Sequence, residues 1–226
     1  MATITARSII DKVGIVLQDT TNTRWPLPEL LGWLNDGQRE VVLHKPAANP
    51  SNQSWPLISG TKQSIPPAGL SLIDVVRNMG SGSVPGRAIR VIDRRILDTQ
   101  RPDWHTEALS SEVKHYCFDD SDPKRFYVYP PAQPGTNVEL IYSSAPADIT
   151  ISGIITVDDI YANALLDYIL YRAYAKDADY TVNDQRVMFA YETFLRSLGV
   201  LQQRSMMDNP NYRVLTNESP TYTRGQ

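Results

Sequence analysis

The sequence predicts an α+β protein. The N- and C-terminal helices form a helical bundle, an antiparallel β-rich region is inserted between them, and an extended C-terminal tail follows. Three observations predict this. Apolar residues recur at helical spacing before residue 50 and again after residue 158. Between them the pattern becomes short, proline-punctuated and partly alternating. Beyond residue 208 no period survives. The expected organisation is therefore a body from residues 1–50 and 145–207, an insertion at 51–144 and an arm at 208–226.

Ile9, Ile10, Val13, Val16 and Leu17 mark the first helix, over Ser8–Leu17, which ends in the polar, turn-forming Asp19 to Arg24. The second, over Glu29–His44, opens after Pro26 and Pro28, since proline suits a first helical turn, and Glu29 complements the helix dipole there. Leu30, Leu31, Leu34, Gln38, Val41 and Val42 give it one mainly apolar face. His44 and Lys45 occupy its last turn and Pro46 stops it.

From Ser51 the chain reads as strands. Trp55 to Ile58 and Thr61 to Ile65 flank Ser59-Gly60, a two-residue hairpin signal, and Pro56 and Pro66 confine both runs to an edge or to strand ends. Leu72 to Met79 forms a further strand before the loop Gly80 to Gly86. Ala88 to Ile92 is extended, and Asp93 to Thr99 forms a short helix before Pro102. Val113 to Asp119 and Phe126 to Tyr129 flank a turn at Asp120 to Lys124. Val138, Leu140 and Tyr142 alternate against Glu139, Ile141 and Ser143 in one more strand. The region reads as a small antiparallel sheet.

Helices resume at Asp158-Asp159, a capping pair. Tyr161 to Ala175 is apolar on nearly every side, which predicts a central helix with several neighbours. The last helix, over Asn183–Gln203, starts at the capping-box spacing of Thr181 and Asp184. Val187, Met188, Tyr191, Phe194, Leu195, Leu198 and Leu201 form its apolar face. Each such side chain, once buried, contributes roughly 1.5–3 kcal/mol. Residues 208–226 mix Asn, Pro, Thr, Ser and Arg with isolated Tyr212, Val214, Leu215 and Tyr222, too little to build a core.

The composition bounds function. At 42% hydrophobic, 21% charged and a net charge of −3, nothing over the whole surface attracts nucleic acid or anionic lipid. Cys117, the only cysteine, excludes an internal disulfide and a cysteine-based zinc site and fits a reducing compartment. Arg7, Asp11 and Lys12 interrupt any signal-like apolar run, and Asn163, Asp167 and Arg172 make the most apolar stretch too polar to span a bilayer. The expected setting is a cytoplasm, or a larger particle in which the protein leaves it.

Reactive motifs fail one by one. Gly80, Gly82 and Gly86 stand one residue off the dinucleotide fingerprint and no long helix follows them. Gly60-Thr-Lys62 lacks the rest of a phosphate-binding loop. His115 and Cys117 share a strand face, a spacing open to a thiolate–imidazole nucleophile or to a core cysteine beside a partly exposed histidine. His44, His105 and His115 have no metal-ligand spacing. Asp119, Asp120 and Asp122 suit a turn better than calcium, since the glycine and distal glutamate of an EF-hand are missing. No cofactor, metal or catalytic residue is expected.

What remains points to interfaces. Arg87, Arg90, Arg94, Arg95 and Arg101, interleaved with Asp93, Asp98 and Asp103 and followed by Trp104, read as a salt-bridged surface or a lateral subunit contact. Twelve Tyr and four Trp suit a core or protein interfaces.

Several stretches together resemble the head-to-tail adaptor proteins of tailed bacteriophages. They are Arg24-Trp25, Glu29-Leu-Leu-Gly-Trp-Leu-Asn35-Asp-Gly-Gln-Arg-Glu40, Leu72-Ile-Asp-Val-Val-Arg-Asn-Met79, and Gly86-Arg-Ala-Ile-Arg90 with Asp93-Arg94. His115-Tyr-Cys-Phe-Asp119, Phe126-Tyr-Val-Tyr-Pro-Pro131 and the stretch Asp159 to Asp177 continue the series to about Leu201. The resemblance, in the manner of tail tubular A-type adaptors, implies a virion structural protein of the neck or tail. Its partners would be further copies in a ring, usually of twelve, the portal above and a tail or nozzle protein below. DNA would pass through the lumen without sequence-specific binding, and no membrane is involved.

On that reading Tyr212, Val214, Leu215 and Tyr222 anchor the tail on a neighbouring adaptor or the portal, while Arg213 and Arg224 pair with acidic groups there. A tail-completion or terminator subunit would share this composition. A hydrolase would need a reactive Cys117, and a DNA-binding regulator a basic face with salt-sensitive binding.

Overall fold

The computed structural model describes residues 2–80, 84–119, 121–177 and 181–208, with the backbone alone for 181–184 and 200–208. Among these residues it is a mixed α+β structure with five α-helices and two four-stranded sheets. The chain divides into two compact units. One comprises residues 1–3, 38–150 and 154–159, and the other 4–37, 151–153 and 160–226.

The second of these is helical. Helix α1 (Ala6–Val16) starts at Thr5, whose hydroxyl accepts a hydrogen bond from the Ser8 amide. Ile9, Ile10 and Val13 are buried as their spacing requires, while Val16 is half exposed. Helix α2 (Leu27–His44) contributes Leu27–Gly37 here, with Leu30, Trp33 and Leu34 buried. Helix α4 (Ala162–Lys176) packs against α1 and against α5 (Thr181–Asp208). It also lies so close to α2 that a methyl group on Gly37 would meet the Tyr168 ring at 3.0 Å. That explains why α4 is apolar nearly all round.

Two expectations for these helices need correction. Asp158-Asp159 does not cap α4, because a 3-10 turn at Asp159–Tyr161 intervenes and Tyr161 stands at the N-cap without a side-chain cap. The Asp159 carboxylate instead accepts from the Thr3 amide at 2.8 Å and the Thr3 hydroxyl at 2.6 Å. On α5, Ala190, Phe194 and Leu198 are buried, but Met188 is 63% exposed and Leu195 37%. The buried stripe runs through 187, 190–191, 194 and 198, and Met188, Glu192 and Leu195 lie on the stripe beside it.

The other unit carries both sheets. The first has the order β1 (Pro50–Pro56), β8 (Asn137–Ser144), β3 (Gly69–Met79), β4 (Pro85–Ala88), all antiparallel. The second has the order β2 (Gly60–Ser64), β7 (Arg125–Ala132), β6 (His115–Phe118), β5 (Arg90–Val91), with β5 and β6 parallel. The expected single small sheet is thus two, and they share one apolar core. Leu72, Val75, Val138, Leu140 and Tyr142 come from the first, and Tyr116, Phe126, Val128 and Ala132 from the second. The alternation along β8 places Val138, Leu140 and Tyr142 inward as expected.

The expected hairpin at Ser59-Gly60 is also corrected. The chain does reverse there, with Gly60 at φ +101°, but β1 pairs with β8 and β2 with β7. The reversal is a corner between sheets rather than a ladder. A buried side chain fixes it: the Gln63 amide donates to the Ile58 carbonyl at 2.8 Å and the Gly60 carbonyl at 2.9 Å, and accepts from the Ile58 amide at 2.9 Å. Turn residues specify a reversal, whereas the ladder is chosen by which face must be buried. Pro50 and Pro56 sit on β1, an edge strand where a missing N–H costs little.

Candidate functional site

The second sheet has a covered outer face, and His115 and Cys117 lie on it. Period two sends Tyr116 into the shared core and Cys117 to the opposite side. Helix α3 (Arg94–Gln100), capped by the Asp93 carboxylate on the Arg95 amide, lays Leu97 over that side. Leu97, Trp104 and Cys117 form a small second core with Ile92, Tyr127 and Tyr129 packed against it. The indole of Trp104 is wholly buried, donates to Asp98 at 2.9 Å and stacks on His105 with ring centroids 3.7 Å apart.

His115 and Cys117 share this face as their spacing requires, but their electrostatics oppose a nucleophile. A working pair needs a depressed thiol and a protonated imidazole. Here burial pushes the Cys117 thiol up to about 11. Burial, together with the cations Arg90, Arg87 and Lys114, holds His115 below the usual histidine value. Both shifts favour neutral forms. Cys117 in the native protein is therefore expected to react with a thiol reagent at least a hundredfold more slowly than in urea-unfolded chain. Equal rates would restore a reactive thiol.

The remaining polar candidates are structural. The Asp119 carboxylate accepts from the Ser121 amide at 2.9 Å and its hydroxyl at 2.5 Å, which closes the β6–β7 turn and lowers the carboxyl pKa. Asp122 pairs with Arg125 at 3.7 Å, and Asp120 lies outside the described residues. The glycine loop joins β3 to β4: the Gly80 amide donates to the Val84 carbonyl, and a methyl on Gly86 would meet the Asn78 carbonyl oxygen at 2.9 Å. A strand, not a helix, follows it. His44 lies one turn from Glu40, and His105 bonds Thr61 through Nδ1 at 2.8 Å. Among the described residues no group of three or more His, Cys, Asp or Glu could hold a metal ion. Among them, too, no helix is long and apolar enough to cross a membrane.

The charged segment from Arg87 to Trp104 sorts into paired and unpaired cations. Arg87 pairs with Glu112 at 3.1 Å, Arg94 with Asp98 at 3.3 Å and Arg101 with Glu107 at 3.1 Å. Arg101 also donates to the Tyr129 hydroxyl at 2.7 Å. Arg90 and Arg95 are exposed and form no ion pair among the described residues. Trp104, grouped with them from the sequence, has no surface to offer a partner. The tail residues Tyr212, Arg213, Val214, Leu215, Tyr222 and Arg224 lie outside the described residues.

One cluster was not foreseen. In the helical unit Trp25 is buried beside Trp33, with ring centroids 5.9 Å apart, and carries Arg24 at 5.6 Å and Lys176 at 5.5 Å over its ring. Each cation is ion-paired, Lys176 with Glu29 at 2.6 Å and Arg24 with Asp177 at 2.5 Å. The Asp19 carboxylate accepts the amides of Thr23, Arg24 and Trp25, which lowers its pKa and sets the approach of the chain to α2. Arg24, Trp25, Glu29 and Asp177 are residues that carried the family resemblance. They join α4 to the start of α2, so that likeness lies in packing and not in chemistry. Sequence reading saw them as separate motifs because about 150 residues separate the two halves.

A family model described as SU10 adaptor protein matches residues 4–214. Among curated proteins none matches the chain.

Proposed function

Because the chain belongs to the SU10 adaptor protein family, we propose that it is the subunit of a head-to-tail adaptor ring that joins the portal to the tail and lines the passage of DNA. The protein is a phage structural adaptor and virion component, from a family of structural proteins, and it works among other head and tail proteins. The observation that carries the ring reading is the extent of the family match, which takes in both compact units.

In this reading the helical bundle is the body, the sheets are the insertion, and residues 208–226 are an arm that docks on a neighbour or on the portal. Ring contacts are head-to-tail, so a patch on one copy meets a different patch on the next. Arg90 and Arg95 suit such a contact, because no carboxylate among the described residues neutralises them and a neighbour can. Arg87, Arg94 and Arg101 are already paired within the chain and contribute less.

The test is electron microscopy of the chain assembled with portal, beside an R90E/R95E double variant. A dodecameric ring is expected for the natural sequence, with at least a tenfold loss of rings for the variant at unchanged helicity. A single asymmetric copy on the portal would overturn the ring. Rings unaffected by the double variant would remove Arg90 and Arg95 from the lateral contact.

A further inference from the structure

A concavity of about 570 Å³ runs along β2, the terminal strand of the second sheet. It is lined by the chain from Ile58 to Ser64 together with His105 and Arg125. Its ionisable walls are therefore Lys62, His105 and Arg125, and no carboxylate stands among the lining residues. The β2–β7 register explains the charge. Ser64 lies opposite Arg125 and Lys62 opposite Tyr127, which sets Lys62 and Arg125 diagonally on one face of the sheet. Both are exposed, and two cations so placed repel unless an anion stands between them. Arg125 has a loose partner in Asp122 at 3.7 Å, and Lys62 has none among the described residues.

The third wall is fixed in advance. The His105 ring stacks on the buried Trp104 indole and meets Tyr127 edge-on at 5.9 Å. Its Nδ1 shares a hydrogen bond with the buried Thr61 hydroxyl, and Nε2 forms none among the described residues. Asp98, whose charge reaches this ring, is already engaged by the Trp104 indole and by Arg94. A wall held by such contacts loses little freedom when a ligand arrives.

The backbone of β2 is open as well. The Ile65 amide, just past the strand, donates to the Lys124 carbonyl on the β7 side. Antiparallel alternation therefore turns the amides of Lys62 and Ser64 away from β7. Among the described residues no strand pairs with that edge. The Ser64 carbonyl there receives the Trp55 indole at 3.1 Å, which leaves the two amides and the Lys62 carbonyl for a ligand. A row of backbone groups beside fixed cations matches an extended peptide. Duplex DNA needs a track of cations along its phosphates, and a chain of net charge −3 does not supply one here.

We propose that β2 receives an extended, acidic segment of another head or tail protein, paired along its free edge. Period two puts residues i and i+2 of that segment on one face. Its carboxylates therefore stand at alternate positions, set against Lys62 and Arg125, while main-chain hydrogen bonds hold the strand. The contact lies at the opposite end of the sheet from β5 and Arg90, and it requires no ring.

The test titrates nitrogen-15-labelled full-length chain with a short synthetic peptide that alternates glutamate and threonine, followed by NMR. Saturable shifts at Lys62, Ser64, His105 and Arg125 are the expected result. The Lys62 and Ser64 amides should exchange at least tenfold more slowly in the complex. A peptide of the same composition, with its glutamates and threonines in separate blocks, should bind severalfold more weakly. Lys62→Glu combined with Arg125→Glu should cut affinity for the alternating peptide at least tenfold at unchanged circular dichroism. That variant should instead take up a peptide alternating lysine and threonine. Binding indifferent to the double variant, or equal affinity for the blocked peptide without amide slowing, overturns the proposal. So does the absence of saturable binding, and so does duplex DNA that shifts the same residues at matched concentration.

Discussion

Replacing Phe194 by alanine is expected to destabilise the helical unit by about 3–5 kcal/mol, the usual cost of deleting a buried ring. Phe194 is wholly buried at the centre of the α5 stripe, with ring centroids 5.4 Å from Tyr168 and 6.1 Å from Tyr191. Tyr168 is in turn the ring that confronts Gly37 of α2. The truncation therefore opens a cavity where α5 meets α4 and loosens a side chain on which α2 rests. Urea unfolding followed by helical circular dichroism measures it. Phe189→Ala, on the exposed face, should change stability by less than about 0.5 kcal/mol. Equal effects at the two positions would show that the stripe is misassigned.

Asn78→Asp is expected to cost the β unit about 3 kcal/mol or more, although it exchanges only one side-chain atom for another. The buried Asn78 amide donates to the Arg87 carbonyl at 3.0 Å and the Val113 carbonyl at 2.7 Å, and accepts from the Val113 amide at 2.8 Å. It ties β3 to β4 and to the segment leading into β6. Aspartate at neutral pH keeps the acceptor but turns two donors into a charged oxygen facing two carbonyls. Each buried group left unsatisfied costs about 1–3 kcal/mol, and the uncompensated charge adds to that. The loss should shrink as pH falls toward the pKa of the introduced acid, because protonation restores one donor. A variant as stable as the natural protein at pH 7 would show that the clamp is not formed.

Neither Asn78 nor Gln63 was visible in the sequence as a structural residue, for a shared reason. Each acts on backbone that it reaches only in the folded chain, and an amide carries no period. The positions that could be read were those where local spacing and burial coincide. Ile9, Ile10 and Val13 on α1, and Val138, Leu140 and Tyr142 on β8, are buried where periodicity puts them. Met188 misled because stripes one residue apart on a helix are both apolar here, and only the packing of α4 selects between them. Ser59-Gly60 misled because a turn signal says nothing of the strand that awaits the returning chain. Trp104 looked like a surface residue within a charged run, but its ring fills the space between α3 and β7.

The pairing of β1 with β8 has a consequence for the order of events during synthesis. Pro50 meets Ser143 and Pro56 meets Asn137, so the first strand to leave the ribosome finds its partner only after some 80 further residues have been made. The helical unit waits as well, since the Ala6 and Arg7 amides donate to the Gly153 and Ile151 carbonyls. Neither unit can close on a nascent chain that stops short of its second half. An interrupted translation product therefore presents no finished contact surface to other head and tail proteins. The long-range topology slows folding, and in return it makes completeness of the chain a condition for presenting that surface.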